Sequence, residues 1–295
     1  MGIAQRFQSI VERRGDARAV ADGKEEWSYR HLWDAATAVG CRIERGEERI
    51  GVALQPSVAF PAACFGVWSA GSVVVPLNTF LSPSELGAIV RDAALRTIVT
   101  ERSLAGKVGN LVPRTLFVEE IAPLSTEVSA CPALDEASCA AVLYTSGTES
   151  EPKGVQLSHR NLLSNVDGCR SLLDIGEGGV LSVLPLFHAF GFTCGMLFPL
   201  LTGATAVVAP GFNPASVLRL LEDGRLRAML SVPSIYRMLM KFALQGKREV
   251  RFPPLCVAGG EPLPDIVAEQ FRRCFGVPLL NGYGIGLGCH ATPYA

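Results

Sequence analysis

Two stretches of the chain, 50–84 and 178–218, contain no Asp, Glu, Lys or Arg, and this narrows the fold more than any other feature. Segments longer than ~18 apolar residues either cross a bilayer or are buried in protein. Pro61, Gly66, Gly71, Pro76 and Asn78 interrupt the first stretch, and Pro185, Gly191, Gly203 and Pro210 interrupt the second. That punctuation suits alternating strands and helices buried on both faces, not continuous spans. The expectation is a globular protein, with room for a peripheral membrane contact.

Short β-branched runs alternate with helical patterns. Strands are predicted at 50–54, 72–75 and 97–100, with helices at 59–69 and 83–92 between them. A strand at 139–144 runs into a polar loop, and Ser158 is placed to cap a helix over 161–173. The alternation resumes with strands at 180–184, 204–208, 228–231 and 255–258 and helices at 191–201, 217–222, 234–242 and 264–274. Such a series implies parallel strands and an α/β class built of two stacked βαβ subdomains, 1–175 and 176–295.

Composition bounds the partners. The 27 basic and 28 acidic residues are spread along the chain, so no basic stripe speaks for nucleic acid and a small-molecule partner is expected. Nine cysteines, odd in number and without a CxxC pair, suit a reduced cytoplasm and point to no metal cluster. The N-terminus shows no apolar signal core, so a cytoplasmic protein is the expectation.

The segment 144–155 packs hydroxyls, Gly147, Gly154 and Lys153 behind a strand. Glycines let backbone approach an anion, hydroxyls and amides donate hydrogen bonds, and Lys153 adds a point charge. No Gly-Lys-Ser/Thr ending is present, which excludes a Walker A loop; an ordinary polar turn satisfies the same residues. The segment resembles the phosphate-binding signature TSGTTGxPKG of the adenylate-forming (AMP-binding) superfamily, which includes acyl-CoA synthetases and peptide-synthetase adenylation domains. Thr145, Ser146, Gly147, Thr148, Pro152, Lys153 and Gly154 match. Glu149 and Ser150 replace the usual Thr-Gly, and Glu149 and Glu151 are expected to face solvent.

Further motifs extend the resemblance. In Leu-Pro-Leu-Phe-His188 the histidine would border the carboxylate and serve catalysis, and Phe190 and Phe192 suit either an acyl pocket or core packing. Gly259, Gly260 and Glu261 stand where the family has a Gly-Gly turn against adenine, with Glu261 replacing a small residue; Asn281, Gly282, Tyr283 and Gly284 resemble its adenine-binding turn. Both segments also read as plain turns. Where the family continues with a magnesium-binding Thr-Glu pair, this chain has Ile285, Gly286 and Leu287.

The resemblance implies the N-terminal domain of an acyl-adenylate synthetase, without its β-barrel subdomain and C-terminal lid domain. Its activity would be ATP-dependent activation of a carboxylic acid with Mg2+, followed by transfer to coenzyme A or carrier-protein phosphopantetheine. No Asp or Glu lies between Glu177 and Glu222, and a buried ammonium would need one, so a fatty acid is favoured over an amino acid, with an aryl acid as the alternative. The rival is a non-catalytic nucleotide- or acyl-binding subunit completed by a separate C-terminal half. An unrelated α/β oxidoreductase is disfavoured because no GxGxxG follows the early strands.

Overall fold

The computed structural model describes residues 1–44, 46, 48–121, 134–145, 152–246, 250–283 and 290–292, with 145, 283 and 290–292 described through their backbone. In chain order the elements begin α1 (Ile3–Arg14), β1 (Arg18–Ala21), β2 (Glu26–Ser28), α2 (Tyr29–Gly40), β3 (Arg49–Ala53), α3 (Ala59–Ser69), β4 (Val73–Pro76), α4 (Pro83–Asp92), β5 (Thr97–Thr100), α5 (Ala105–Val108) and β6 (Arg114–Phe117). They continue with β7 (Cys139–Thr145), β8 (Lys153–Ser158), α6 (His159–Leu172), β9 (Gly179–Ser182), a π-helix (Gly191–Leu197), α7 (Phe198–Thr202), β10 (Thr205–Val208) and α8 (Pro214–Leu220). The last are β11 (Leu226–Ser231), α9 (Pro233–Gln245), β12 (Leu255–Gly259), α10 (Asp265–Phe275), β13 (Leu279–Tyr283) and β14 (His290–Thr292). The chain divides into two compact units, one of residues 1–17 and 27–163, the other of 18–26 and 164–295.

The first unit holds a six-stranded sheet in the order β6-β5-β3-β4-β7-β8. Its neighbours are parallel except β7 and β8, which pair antiparallel. The charge-free stretch 50–84 supplies β3, α3 and β4, and α3 is buried from Phe60 to Trp68. A helix apolar on all sides belongs inside a protein or a membrane, and here protein covers it. A Cβ on Gly66 would stand 2.5 Å from the Ala36 carbonyl oxygen and 2.7 Å from Val39 Cβ, so the glycine allows α2 and α3 to touch. The next helix begins as its sequence dictates: Ser82 and Glu85 form a reciprocal capping box around Pro83.

The second unit carries an eight-stranded sheet in the order β14-β13-β12-β11-β9-β10-β1-β2. Strands β13, β12, β11, β9, β10 and β1 run parallel, and β14 lies antiparallel to β13. Side chains alternate between two cores. Leu181, Met229 and Cys256 face α8, α9 and α10, while Val180, Ala228, Leu230 and Val257 face α6, the π-helix and α7. The second charge-free stretch becomes β9, the π-helix, α7 and β10, all interior. Among the described residues no helix is long and apolar enough to cross a membrane.

Strand β1 reaches this sheet from far away in sequence and is fastened by charge. Arg18 Nη1 lies 2.6 Å from Asp223 Oδ2, and Arg225 Nε lies 2.9 Å from Asp223 Oδ1. Arg18 and Arg225 both also meet Glu26. Burial alone would raise the Asp223 carboxyl, but hydrogen bonds from Arg225 and Arg18 overcome it and pull its pKa from 3.8 down to about 2. A depressed folded-state value stabilises the fold above the unfolded value of 3.8, and that stabilisation is lost as pH falls through about 2. Asp223→Asn is therefore expected to cost roughly 2 kcal/mol at neutral pH. Denaturant titrations of both proteins should show the difference shrinking towards zero at pH 2; a difference independent of pH would contradict the role.

Candidate functional site

The candidate phosphate loop joins β7 to β8, which pair antiparallel as a β-hairpin. Residues 153–155, expected as the end of the loop, open β8 and pair with β7 in the register Thr145↔Lys153, Tyr144↔Gly154 and Leu143↔Val155. The pairing supplies backbone hydrogen bonds that local propensity did not announce. Lys153 is exposed at the mouth of the connection. Ser146, Gly147 and Thr148 lie outside the described residues, as do Glu149, Ser150 and Glu151.

Gly154 is required by packing. A Cβ there would stand 2.8 Å from Val142 Cγ1 and 2.9 Å from Tyr144 Cζ. The Tyr144 hydroxyl in turn donates to the Asp92 carboxylate, and burial first, then Asp92, raises the phenol's pKa. A ring held neutral and tethered to α4 thus covers the glycine beside Lys153. After β8, Ser158 Oγ accepts from the Asn161 amide at 3.1 Å and Asn161 Oδ1 accepts from the Ser158 amide at 3.0 Å, the cap expected for α6.

In the second unit the remaining candidates gather at one sheet edge. The chain leaves β9, passes through the π-helix to β10 on one side, and later returns as β11 on the other, so β9 and β11 flank a reversal of strand order. Ligands of open α/β sheets bind outside the carboxyl ends of strands at such a switch point. His188 and Phe190 follow β9 there, Gly260 and Glu261 follow β12, and Asn281, Gly282 and Tyr283 lie in β13.

Phe190, Gly259 and Gly282 meet here. A Cβ on Gly259 would stand 2.8 Å from the Gly282 carbonyl oxygen and 2.9 Å from Phe190 Cε1, so the Phe190 ring and the β13 backbone meet over a glycine that must lack a side chain. Gly260 has φ +79°, in the left-handed region. Asn281 and Gly282 are strand residues, paired with Ala258 and Gly259 on one side and Thr292 and Ala291 on the other. The expected turn is absent at 281–283, because two-sided pairing overrides the Asn-Gly preference. Gly284 lies outside the described residues.

His188 reaches solvent and its ring sits 4.6 Å from that of Phe187. Partial desolvation lowers its pKa, which leaves a neutral imidazole at pH 7. Phe190 is half-buried, whereas Phe192 is fully buried in the π-helix and belongs to the core rather than to an open wall. Gly191 lets that helix start against the preceding turn, since a Cβ would stand 2.3 Å from the Pro185 carbonyl oxygen.

Glu261 has a partner that its sequence position did not suggest. Its carboxylate accepts from Ser234 Oγ at 3.0 Å and from the Ser234 amide at 3.4 Å, at the N-terminal turn of α9, where a negative charge is stabilised. The Pro233-Ser234 start of α9 was the available signal. Among the described residues no group of three or more His, Cys, Asp or Glu is placed to hold a metal ion.

The model of a family described as AMP-binding enzyme matches residues 7–292. The chain is 26% identical to a long-chain-fatty-acid–CoA ligase of Bacillus subtilis, covering 89% of this chain and 56% of that protein. It is 30% identical to a 4-hydroxybenzoate–CoA/benzoate–CoA ligase of Rhodopseudomonas palustris, covering 94% and 56%. The crystal structure of the anthranilate CoA ligase AuaEII in complex with anthranoyl-AMP superposes with a TM-score of 0.86 at 20% identity, over 97% of this chain and 59% of that one; this likeness shows the fold. The chain thus spans about half the length of the curated relatives it matches.

Proposed function

Because the chain belongs to the AMP-binding enzyme family, we propose that it carries the nucleotide- and acid-binding portion of an acid–thiol ligase whose substrate is an uncharged apolar carboxylic acid, a fatty acid in the first place. Its carboxylate oxygen attacks the α-phosphorus of ATP and the bond to pyrophosphate breaks; the thiol sulfur of coenzyme A or of a carrier-protein phosphopantetheine then attacks the acyl carbon, the bond from that carbon to the phosphate oxygen breaks, and AMP and the thiol proton leave. In this reading residues 1–175 bring the phosphate loop, with Lys153 beside the leaving pyrophosphate. Residues 176–295 bring the neutral His188 at the carboxylate and Phe190, Gly259 and Gly282 around acyl group and adenine.

The observation that carries the acid class is the carboxyl edge of the second sheet. The segment after β9 supplies no acidic side chain between Glu177 and Glu222, so an ammonium group buried against that segment would find no counter-charge in it. Similarity to a fatty-acid–CoA ligase and to a benzoate–CoA ligase supports the acid–thiol ligase reading.

A second reading rests on Ile285, Gly286 and Leu287, which stand where the family places its magnesium-binding Thr-Glu pair. Those residues do not fit a metal ion, and the chain would then bind nucleotide and acid without turning them over. ATP–pyrophosphate exchange with panels of fatty, aryl and amino acids separates the readings. Exchange stimulated by fatty acids supports the first; exchange with amino acids alone overturns the acid class; ATP binding without exchange favours the second.

A further inference from the structure

The sulfurs of Cys169, on α6, and Cys194, in the π-helix, lie 3.6 Å apart. Both side chains are buried, at 3% and 2% exposure, in the same apolar cluster as Leu184 and Val257, against which Phe190 packs. Cys169 Sγ also lies 3.6 Å from Asn165 Oδ1, one turn earlier on α6. Neither the nucleotide chemistry nor the acid pocket requires two thiols in contact, and an apolar core with a preference for small residues would accept alanine at either position.

We propose that Cys169 and Cys194 form a modification site, which hydrogen peroxide or a related two-electron oxidant converts to an intramolecular disulfide tying α6 to the π-helix. One sulfur attacks a peroxide oxygen, the O–O bond breaks, and the thiol becomes a sulfenic acid as water leaves. The second sulfur attacks the sulfenic sulfur, the S–S bond forms, and the S–O bond breaks. The hydroxyl departs with the second thiol's proton as another water. Two electrons leave the two thiols and one peroxide is reduced to two waters.

The geometry suits this step. A disulfide needs the sulfurs at about 2.05 Å, so they must close by roughly 1.5 Å, a movement within reach of side-chain rotation. Burial slows the first attack relative to an exposed thiol, but Arg170, Ser171 and Leu172 at the end of α6 are exposed, and opening of a helix end admits a molecule as small as peroxide. Once a sulfenic acid forms, the neighbouring sulfur is the nucleophile in contact with it, and larger thiols are shut out. The bond would fix the π-helix that begins just after His188. The proposal stands on the sulfur geometry and does not depend on the acid-activating reading.

Peptide mapping tests it directly. Trypsin cuts after Arg170, which separates the cysteines into the peptides 161–170 and 171–219. The folded chain is treated with hydrogen peroxide, alkylated with iodoacetamide, denatured, alkylated again and digested without reductant. The expected result is a joined 161–170/171–219 species, released by dithiothreitol and absent from Cys194→Ser. Exposed Cys41 and Cys274 serve as the internal comparison. If both peptides instead appear separately with alkylated thiols while Cys41 and Cys274 are oxidised, the proposal is overturned, whatever the variant does.

Discussion

Replacing Trp68 with alanine is expected to destabilise the first unit by roughly 4 kcal/mol, the range of large aromatic deletions from well-packed cores. Trp68 is 0% exposed, and its indole Nε1 donates to the Ala140 carbonyl of β7 at 2.8 Å. Its ring meets Phe65 edge-on at 5.4 Å, Phe65 stacks on Phe7 at 3.9 Å, and Phe7 lies within 6 Å of both Tyr29 and Trp33. One side chain therefore joins α3 to β7 and, through stacked rings, to α1 and α2. Its removal leaves a cavity and a buried carbonyl without its donor, and the two costs add. Trp68→Phe keeps much of the apolar area and should lose about 1–2 kcal/mol, largely the hydrogen bond and the fit. Denaturant unfolding followed by circular dichroism gives both values; a loss below about 1 kcal/mol for Trp68→Ala would mean that the site collapses and the ring network does not hold β7.

Much of this fold is local enough to read in the chain. The helix over 83–92 is bounded by its own capping box, and the strands of 50–54, 97–100 and 204–208 are short apolar runs between breakers, so pattern and structure agree closely. α1 was not among the expected helices, although the spacing of Ile3, Phe7 and Ile10 is a helical signal. What escapes is set by partners distant in sequence. β1 is a strand because β10 offers Ala206 and Val207 to Val20 and Ala21, and β8 is a strand because β7 folds back on it. β14 exists because β13 presents an open edge, so residues 290–292 pair with 281–283. The π-helix at 191–197 has the apolar composition of an α-helix; its wider turn accompanies Gly191 and Gly195 packed against Pro185 and Ser182.

The candidate site divides in the same way. The motif residues at the carboxyl ends of β9 and β12 were singled out by resemblance to family motifs, and close approach holds Gly191 and Gly259 there to glycine. The partners that shape them were not: Tyr144 over Gly154, Phe190 against Gly259, and Ser234 holding Glu261 each join separate motifs or elements. Of the two phenylalanines that could line an acyl pocket, the structure leaves Phe190 half-buried and places Phe192 in the core, a distinction that depends on helix phase and not on composition.

Lys153→Ala is expected to lower the rate of acid-dependent ATP–pyrophosphate exchange by about 10²–10³, the usual effect of removing one fixed charge from a site where negative charge develops. Lys153 opens β8 directly across from Thr145, so the hairpin fixes its backbone at the mouth of the candidate phosphate loop, and Tyr144 over Gly154 holds the next residue in place. The ammonium is exposed, and in free solvent it would be worth little; under the proposed function, bound polyphosphate would exclude water from it and strengthen the interaction as charge accumulates on the leaving group. Because exposed substitutions away from packed features usually change stability by less than about 0.5 kcal/mol, the loss should appear in exchange and ATP affinity with unfolding unaltered. Lys153→Arg keeps the charge but replaces a compact ammonium with a planar fork, so it should recover part of the rate. An alanine variant that exchanges as fast as the parent would remove Lys153 from the phosphate site. Recovery by arginine with none by glutamine would show that the positive charge, rather than the length of the side chain, is what the site uses.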